Sequence, residues 1–177
     1  MKLNRHKAIR LGLATALVVG PLSALALAGV SINTTSCLPL GFYQALPPKP
    51  LAVGQTWTVC LPRKWTAFGL HRGYLHPGTD CLGGSQPLIK EIAGLPGETV
   101  IVSKTGVTID GKRWPLSAPL TRDTAGRPLV PDYGTHIIPK GMVWVMGLSW
   151  KAWDSRYYGP IPQRDLLQRQ QAVLTWR

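Results

Sequence analysis

The sequence predicts a mainly β exported domain, built as coiled sheets or a partly closed barrel, behind one N-terminal transmembrane helix. Three observations predict it. Leu11 to Val30 runs for twenty residues without a charge. The chain holds 19 glycines and 16 prolines, most of them after residue 30, and such punctuation disfavours long helices. Between them, short alternating apolar runs read as strands.

The apolar segment comes first. At helical rise, twenty residues reach about 30 Å, the thickness of a hydrocarbon core. Lys2, Arg5, Lys7 and Arg10 precede it, and the first acidic residue is Asp80. The positive-inside bias therefore keeps residues 1–10 in the cytoplasm and sends the rest across. Gly20-Pro21 would kink the span, which membranes tolerate. A cleaved signal peptide fits the same residues, because Ala26-Leu27-Ala28 before Gly29 is a small-x-small site after a basic start. Either reading gives a 1–10 tail, an 11–30 anchor or signal segment, and one periplasmic domain over 31–177. The domain is held at the inner membrane in the first case and free in the periplasm in the second.

Net charge is +12. Four of the 20 Lys and Arg precede the span, and all eight acidic residues follow it, so the exported part carries +8. Its basic residues are scattered, with no Lys/Arg block, helix-turn-helix pattern or aromatic ribonucleoprotein motif. Nucleic acid is therefore not the expected partner. An anionic membrane surface is the simpler use of the charge.

The expected strands are Thr56–Leu61, Leu88–Ala93, Thr99–Ser103, Gly106–Ile109, Met142–Met146 and Ala172–Trp176. Asp110-Gly111 reads as a tight hairpin turn. A weak helical pattern covers Gln163–Gln170. Two long segments read as loops, Pro62–Pro87 and Pro115–Pro139, and long irregular segments are usually functional. The first carries Trp65, Phe68, Leu70 and Tyr74 and reads as a lid, the second as a surface excursion. In an oxidising compartment Cys60 and Cys81 can close the lid as a disulfide, worth about 3 kcal/mol for a loop of about 20 residues. The cysteine spacings contain no C-x-x-C pair and do not suit zinc, so no metal or cofactor is expected. Cys37 is left over. It is a conceivable thiol nucleophile, but its neighbour Ser36 explains the segment better.

Two residues carry the expected chemistry. On a strand, Leu88, Lys90 and Ile92 share one face. Lys90 then stands between two aliphatic side chains, where loss of water works against an ammonium. The opposing reading is a snorkelling lysine on an edge strand. Ser36 sits in Thr34-Thr35-Ser36-Cys37-Leu38-Pro39-Leu40-Gly41, whose Pro39 and Gly41 argue for a sharp turn with free backbone N–H groups. Such groups, with the Thr34 hydroxyl, suit an oxyanion hole; the opposing reading is a solvated loop serine. His6 precedes the span, and His71, His76 and His136 fall in loops without metal spacing, so a histidine triad is disfavoured.

Three segments resemble boxes of the type I signal peptidase family, the membrane-bound serine–lysine peptidases. Ser36-Cys37-Leu38-Pro39 is similar to the Ser-x-x-Pro nucleophile box. Lys90-Glu91-Ile92-Ala93-Gly94-Leu95-Pro96-Gly97-Glu98 resembles the lysine box. Asp154-Ser155-Arg156-Tyr157-Tyr158-Gly159-Pro160-Ile161 resembles the Asp-Ser-Arg-x-x-Gly box. The boxes stand in the family order, and the short length, single span and two loop cysteines look most like its conjugative-transfer, TraF-type branch. The resemblance implies Ser36 as nucleophile and Lys90 as general base. It further implies an oxyanion site from the Ser36 amide and Thr34, and a supporting Asp154–Arg156 pair. As substrate it implies an exported precursor, in that branch a pilin precursor, with possible cyclisation, beside a conjugation apparatus. The family places a serine two residues before its Asp-Ser-Arg box, where its hydroxyl orients the lysine. Here that residue is Ala152, so the expected orienting group is Ser149, a water or some other contact to Lys90. The residue after the nucleophile is usually methionine and here is Cys37. A rival expectation is a non-catalytic exported β domain in a secretion channel. A self-cleaving repressor is disfavoured by the exported topology.

Overall fold

The computed structural model describes residues 19–20 and 29–176. The apolar segment 11–30 therefore lies largely outside the described residues, and so do residues 1–10. No helix among the described residues is long and apolar enough to cross a membrane. Val30, expected as the end of the span, is the first residue of a strand.

Eleven strands in two antiparallel sheets frame the described residues, and a twelfth, short strand lies apart from both sheets. Seven form a sheet in the order β1-β2-β12-β3-β5-β10-β11. These are β1 (Val30–Asn33), β2 (Leu40–Leu46), β12 (Leu166–Trp176), β3 (Thr56–Val59), β5 (Leu88–Gly94), β10 (Met142–Met146) and β11 (Ile161–Pro162). The sheet coils on itself. Leu38 and Tyr43, beside and on β2, share a buried cluster with Ile89 of β5, three places along the sheet order.

The second sheet runs β8-β7-β6-β9, with β6 Thr99–Ser103, β7 Gly106–Ile109, β8 Lys112–Arg113 and β9 Gly134–Ile137. Thr108 pairs with Arg113 and Ile109 with Lys112, which leaves Asp110-Gly111 as the two-residue turn expected of that dipeptide. Alternation on β10 divides the two cores. Val143 and Val145 pack with Trp57, Val59, Leu88 and Ile92. Trp144 and Met146 pack with Val100, Val102, Val107 and Ile109.

Three expectations need correction. Pro62–Pro87 is not an irregular loop. It contains α1 (Arg63–Arg72) and the short strand β4 (Pro77–Cys81), which bridges back to Ser85, so His71 lies on a helix. Gln163–Gln170 is not helical beyond the 3-10 turn Gln163–Asp165. From Leu166 it is β12, paired on both sides. Pro115–Pro139 contains β9, which joins the second sheet. The Cys60–Cys81 disulfide is formed and closes the segment carrying α1.

Candidate active site

The serine turn follows β1 and is organised by a residue not anticipated from the sequence. Asn33 is 7% exposed. Its Nδ2 donates to the carbonyls of Thr35, Leu38 and Pro39 at 3.1–3.2 Å. Its Oδ1 accepts from Thr35 N at 3.0 Å and Thr35 Oγ1 at 2.7 Å. One amide thus holds both ends of the turn and leaves Thr34 and Ser36 exposed. Asn two residues before Thr is a local turn signal, and it was legible on that basis.

The turn is also clipped to the segment after β10. Leu148 N donates to Cys37 O at 2.8 Å. A Cβ at Gly147 would stand 2.8 Å from Cys37 O and 2.4 Å from the Ala152 Cβ. Only glycine lets the two backbones approach this closely. Gly147 N in turn donates to Asp154 Oδ2 at 2.9 Å.

Asp154 and Arg156 form a pair with no exposed surface. Arg156 Nε donates to Oδ1 and Nη2 to Oδ2, each at 2.8 Å. Asp154 also caps the one-turn helix α2 (Ser155–Tyr158) by accepting from Arg156 N. The same arginine donates from Nη1 to Leu116 O, and its carbonyl accepts from Asp132 N. Both contacts pin the 115–139 excursion. Buried Tyr158 lies alongside: burial first, then charge at Asp154 and Cys37, pushes its phenol well above the ordinary value.

Lys90 is fully buried. β5 lies between β3 and β10, with Trp57 as the cross-strand partner of Lys90, so the edge-strand reading is corrected. Its Nζ donates to Trp153 O at 2.8 Å. This carbonyl, one residue beyond Ala152, supplies the orienting contact. Among the described residues no hydrogen bond joins Ser149 to Lys90, and the Ser149 Oγ accepts from Lys151 N at 3.3 Å. Trp153 is itself fixed by aromatic packing, stacked on Phe68 at 5.8 Å and tilted against Tyr74 at 5.3 Å.

Ser36 and Trp153 line one cavity of about 430 Å³, together with Thr34, Cys37, Tyr74 and His76. Thr34 and Ser36 thus line a cavity with Trp153, the residue whose carbonyl accepts from Lys90, while buried Lys90 is not itself among the lining residues. Among the described residues, no hydrogen bond joins Ser36 Oγ to Lys90 Nζ. His136 points elsewhere, with Nε2 2.9 Å from Asp132 O.

The sequence profile described as "Signal peptidase, peptidase S26" matches residues 9–176. The chain belongs to this signal peptidase family. A relative named "Probable conjugal transfer protein TraF", from Sinorhizobium fredii (strain NBRC 101917 / NGR234), is 39% identical over 98% of this chain and 93% of its own length. A "Plasmid transfer protein TraF" of Escherichia coli is 31% identical over 93% of this chain and 96% of its own. Among solved structures, a signal peptidase I from Enterococcus faecalis V583 covers 73% of this chain and 100% of that chain at 21% identity, with a TM-score of 0.40. Against this signal peptidase background the fully buried lysine, the exposed serine turn and the buried aspartate–arginine pair stand in the three segments that resemble the family's boxes.

Proposed function

We propose that this chain is a membrane-anchored serine endopeptidase with a Ser36/Lys90 dyad, acting at the periplasmic face of the inner membrane on a conjugative pilin precursor. The observation that carries the reading is the hydrogen bond from buried Lys90 to Trp153 O, beside the cavity that Ser36 lines. One N–H of the amine is engaged there. A base must be uncharged when it acts. Lys90 takes the Ser36 proton as Oγ attacks the scissile carbonyl, then passes it to the leaving amine as the C–N bond breaks. The Ser36 amide and Thr34 hydroxyl hold the oxyanion. Water then opens the ester and releases an acid. Alternatively, an amine of the pilin itself opens it and closes a ring. Gly147, Asp154 and Arg156 hold the turn against β10.

Residues 1–10 form the cytoplasmic tail, 11–30 the anchor or signal segment, and 31–177 the catalytic domain. The basic surface suits anionic phospholipid. Conjugal-transfer relatives support a place beside a conjugation apparatus. The test is processing of the pilin precursor by Ser36→Ala and Lys90→Ala proteins that remain folded by circular dichroism. Both are expected to leave the precursor intact. Processing by either at the wild-type rate would defeat the dyad and favour a structural role.

A further inference from the structure

The cavity that Ser36 lines is one of two lobes of a continuous groove. The other lobe, about 300 Å³, runs along Ser31, Ile32 and Asn33 of β1 and faces Gln86 to Ile89. Thr34, Thr35, Tyr74 and His76 line both lobes and form the waist between them. Ser36 lies past the waist, in the larger lobe with Thr124, Leu129 and Lys151.

The two lobes differ in what they can hold. β1 pairs only with β2 and is an edge of the sheet. Its outer backbone can bind an extended peptide by strand addition. That is the kind of contact needed by the half of a substrate that stays on the enzyme as an ester. The larger lobe offers no sheet edge along its wall. It is roofed by side chains of two insertions. Tyr74, inside the disulfide-closed segment, donates its hydroxyl to Asp123 of the 115–139 excursion. Arg127 Nε donates to the same carboxylate at 2.7 Å, and Arg127 Nη2 donates to Arg72 O at 2.9 Å. Arg72 Nη1 completes the tie, donating to Pro128 O at 2.7 Å. A lobe lined by tied side chains, and not by a sheet edge, leaves room for a group that must come and go.

We infer that this roofed lobe is the leaving-side subsite. It holds the residues that follow the scissile bond, and after they depart it admits the nucleophile that opens the Ser36 ester. This rests on the Ser36 acyl-enzyme proposed above. In the amine branch, the C–N bond forms as the ester C–O bond breaks. The proton lost by the amine goes through Lys90 to Ser36 Oγ. Tyr74 and Asp123 are positioning residues here, because they shape the lobe without touching the reacting atoms.

The test is the fate of the acyl-enzyme, measured by mass spectrometry. Wild-type protein processes the pilin precursor in the presence of glycyl-glycinamide, and amine-captured product (cyclic pilin or the glycyl-glycinamide adduct) is compared with the linear acid. Thr124→Trp puts an indole into the lobe from an exposed loop position. Asp123→Asn loosens the roof. Each is expected to lower the ratio of amine-captured to water-captured product by about tenfold. A residue with only a structural role would slow all processing and leave this ratio alone. An unchanged or raised ratio in both variants would overturn the inference. Failure of the acyl-enzyme reading is seen separately, as product formation by Ser36→Ala.

Discussion

Arg156 makes three hydrogen bonds to Asp154, all away from solvent, and a fourth, partly buried one to Leu116 O. Removing one member of a buried pair strands the other charge, at about 3–5 kcal/mol. Arg156→Ala is therefore expected to lose about that much stability in urea denaturation. Arg156→Lys should recover only part, because an ammonium cannot reproduce the two-pronged contact. A loss below about 1 kcal/mol would mean that the pair behaves as a surface pair. For Lys90, the arginine variant should be inactive in precursor processing, since a guanidinium does not become a neutral base. Ser36, Thr34 and Lys90 were legible as candidates from local turn chemistry and strand alternation, and the resemblance of three segments to family boxes sharpened them and added Asp154 and Arg156. Trp153 was not legible. Its contribution is a backbone carbonyl, and no side-chain pattern marks which carbonyl a distant amine will find.

At the element scale, α1 matters because Trp65 and Phe68 pack on Trp153, whose carbonyl holds the lysine. A Cβ at Gly69 would stand 2.8 Å from Leu75 and 2.9 Å from the Trp153 ring. Gly69→Val should cost about 1–3 kcal/mol by overpacking and slow processing as well. Unchanged stability with unchanged processing would disconnect α1 from the site. α1 escaped the sequence reading for a physical reason. Pro62 and Gly73 bracket it as start and stop signals, but Gly69 interrupts it and no acidic residue occupies its first turn. β12 was misread in the opposite direction. Its Gln- and Arg-rich start favours a helix locally, and pairing with both β2 and β3 overrides that preference. Strands β6, β7 and β10 match their sequence boundaries, because each alternates or fills a buried layer.

The roof over the larger lobe carries a pH signature. Burial alone would raise the Asp123 carboxyl. The hydrogen bonds from Tyr74, Arg127 and Ala125 outweigh it and hold the group well below the usual carboxylate range. A depressed carboxylate adds stability that is present above its unfolded value, about 3.9, and is lost as pH falls through the folded value. The thermal-stability gap between wild type and Asp123→Asn should be full at pH 7 and pH 5 and shrink only below about pH 4. A gap that already closes between pH 7 and pH 5 would contradict this arrangement.

Across the whole molecule, a coiled sheet carries a central-strand lysine bonded to the Trp153 carbonyl, and Trp153 lines one cavity with the serine turn and with two tied insertions. The disulfide belongs to this scale because it closes the segment that carries α1, Tyr74 and His76. Cys60→Ser should lower stability by about 3 kcal/mol, read as a fall in the denaturation midpoint, and reduce turnover less than the dyad substitutions do. Full stability with lost turnover would reverse that assignment. The most direct measurement of the central claim is a mass spectrum of the pilin precursor after incubation with wild-type, Ser36→Ala and Lys90→Ala protein in matched membranes. The account predicts a shortened product with the wild type alone; the same shortened product with the Lys90→Ala protein would contradict it.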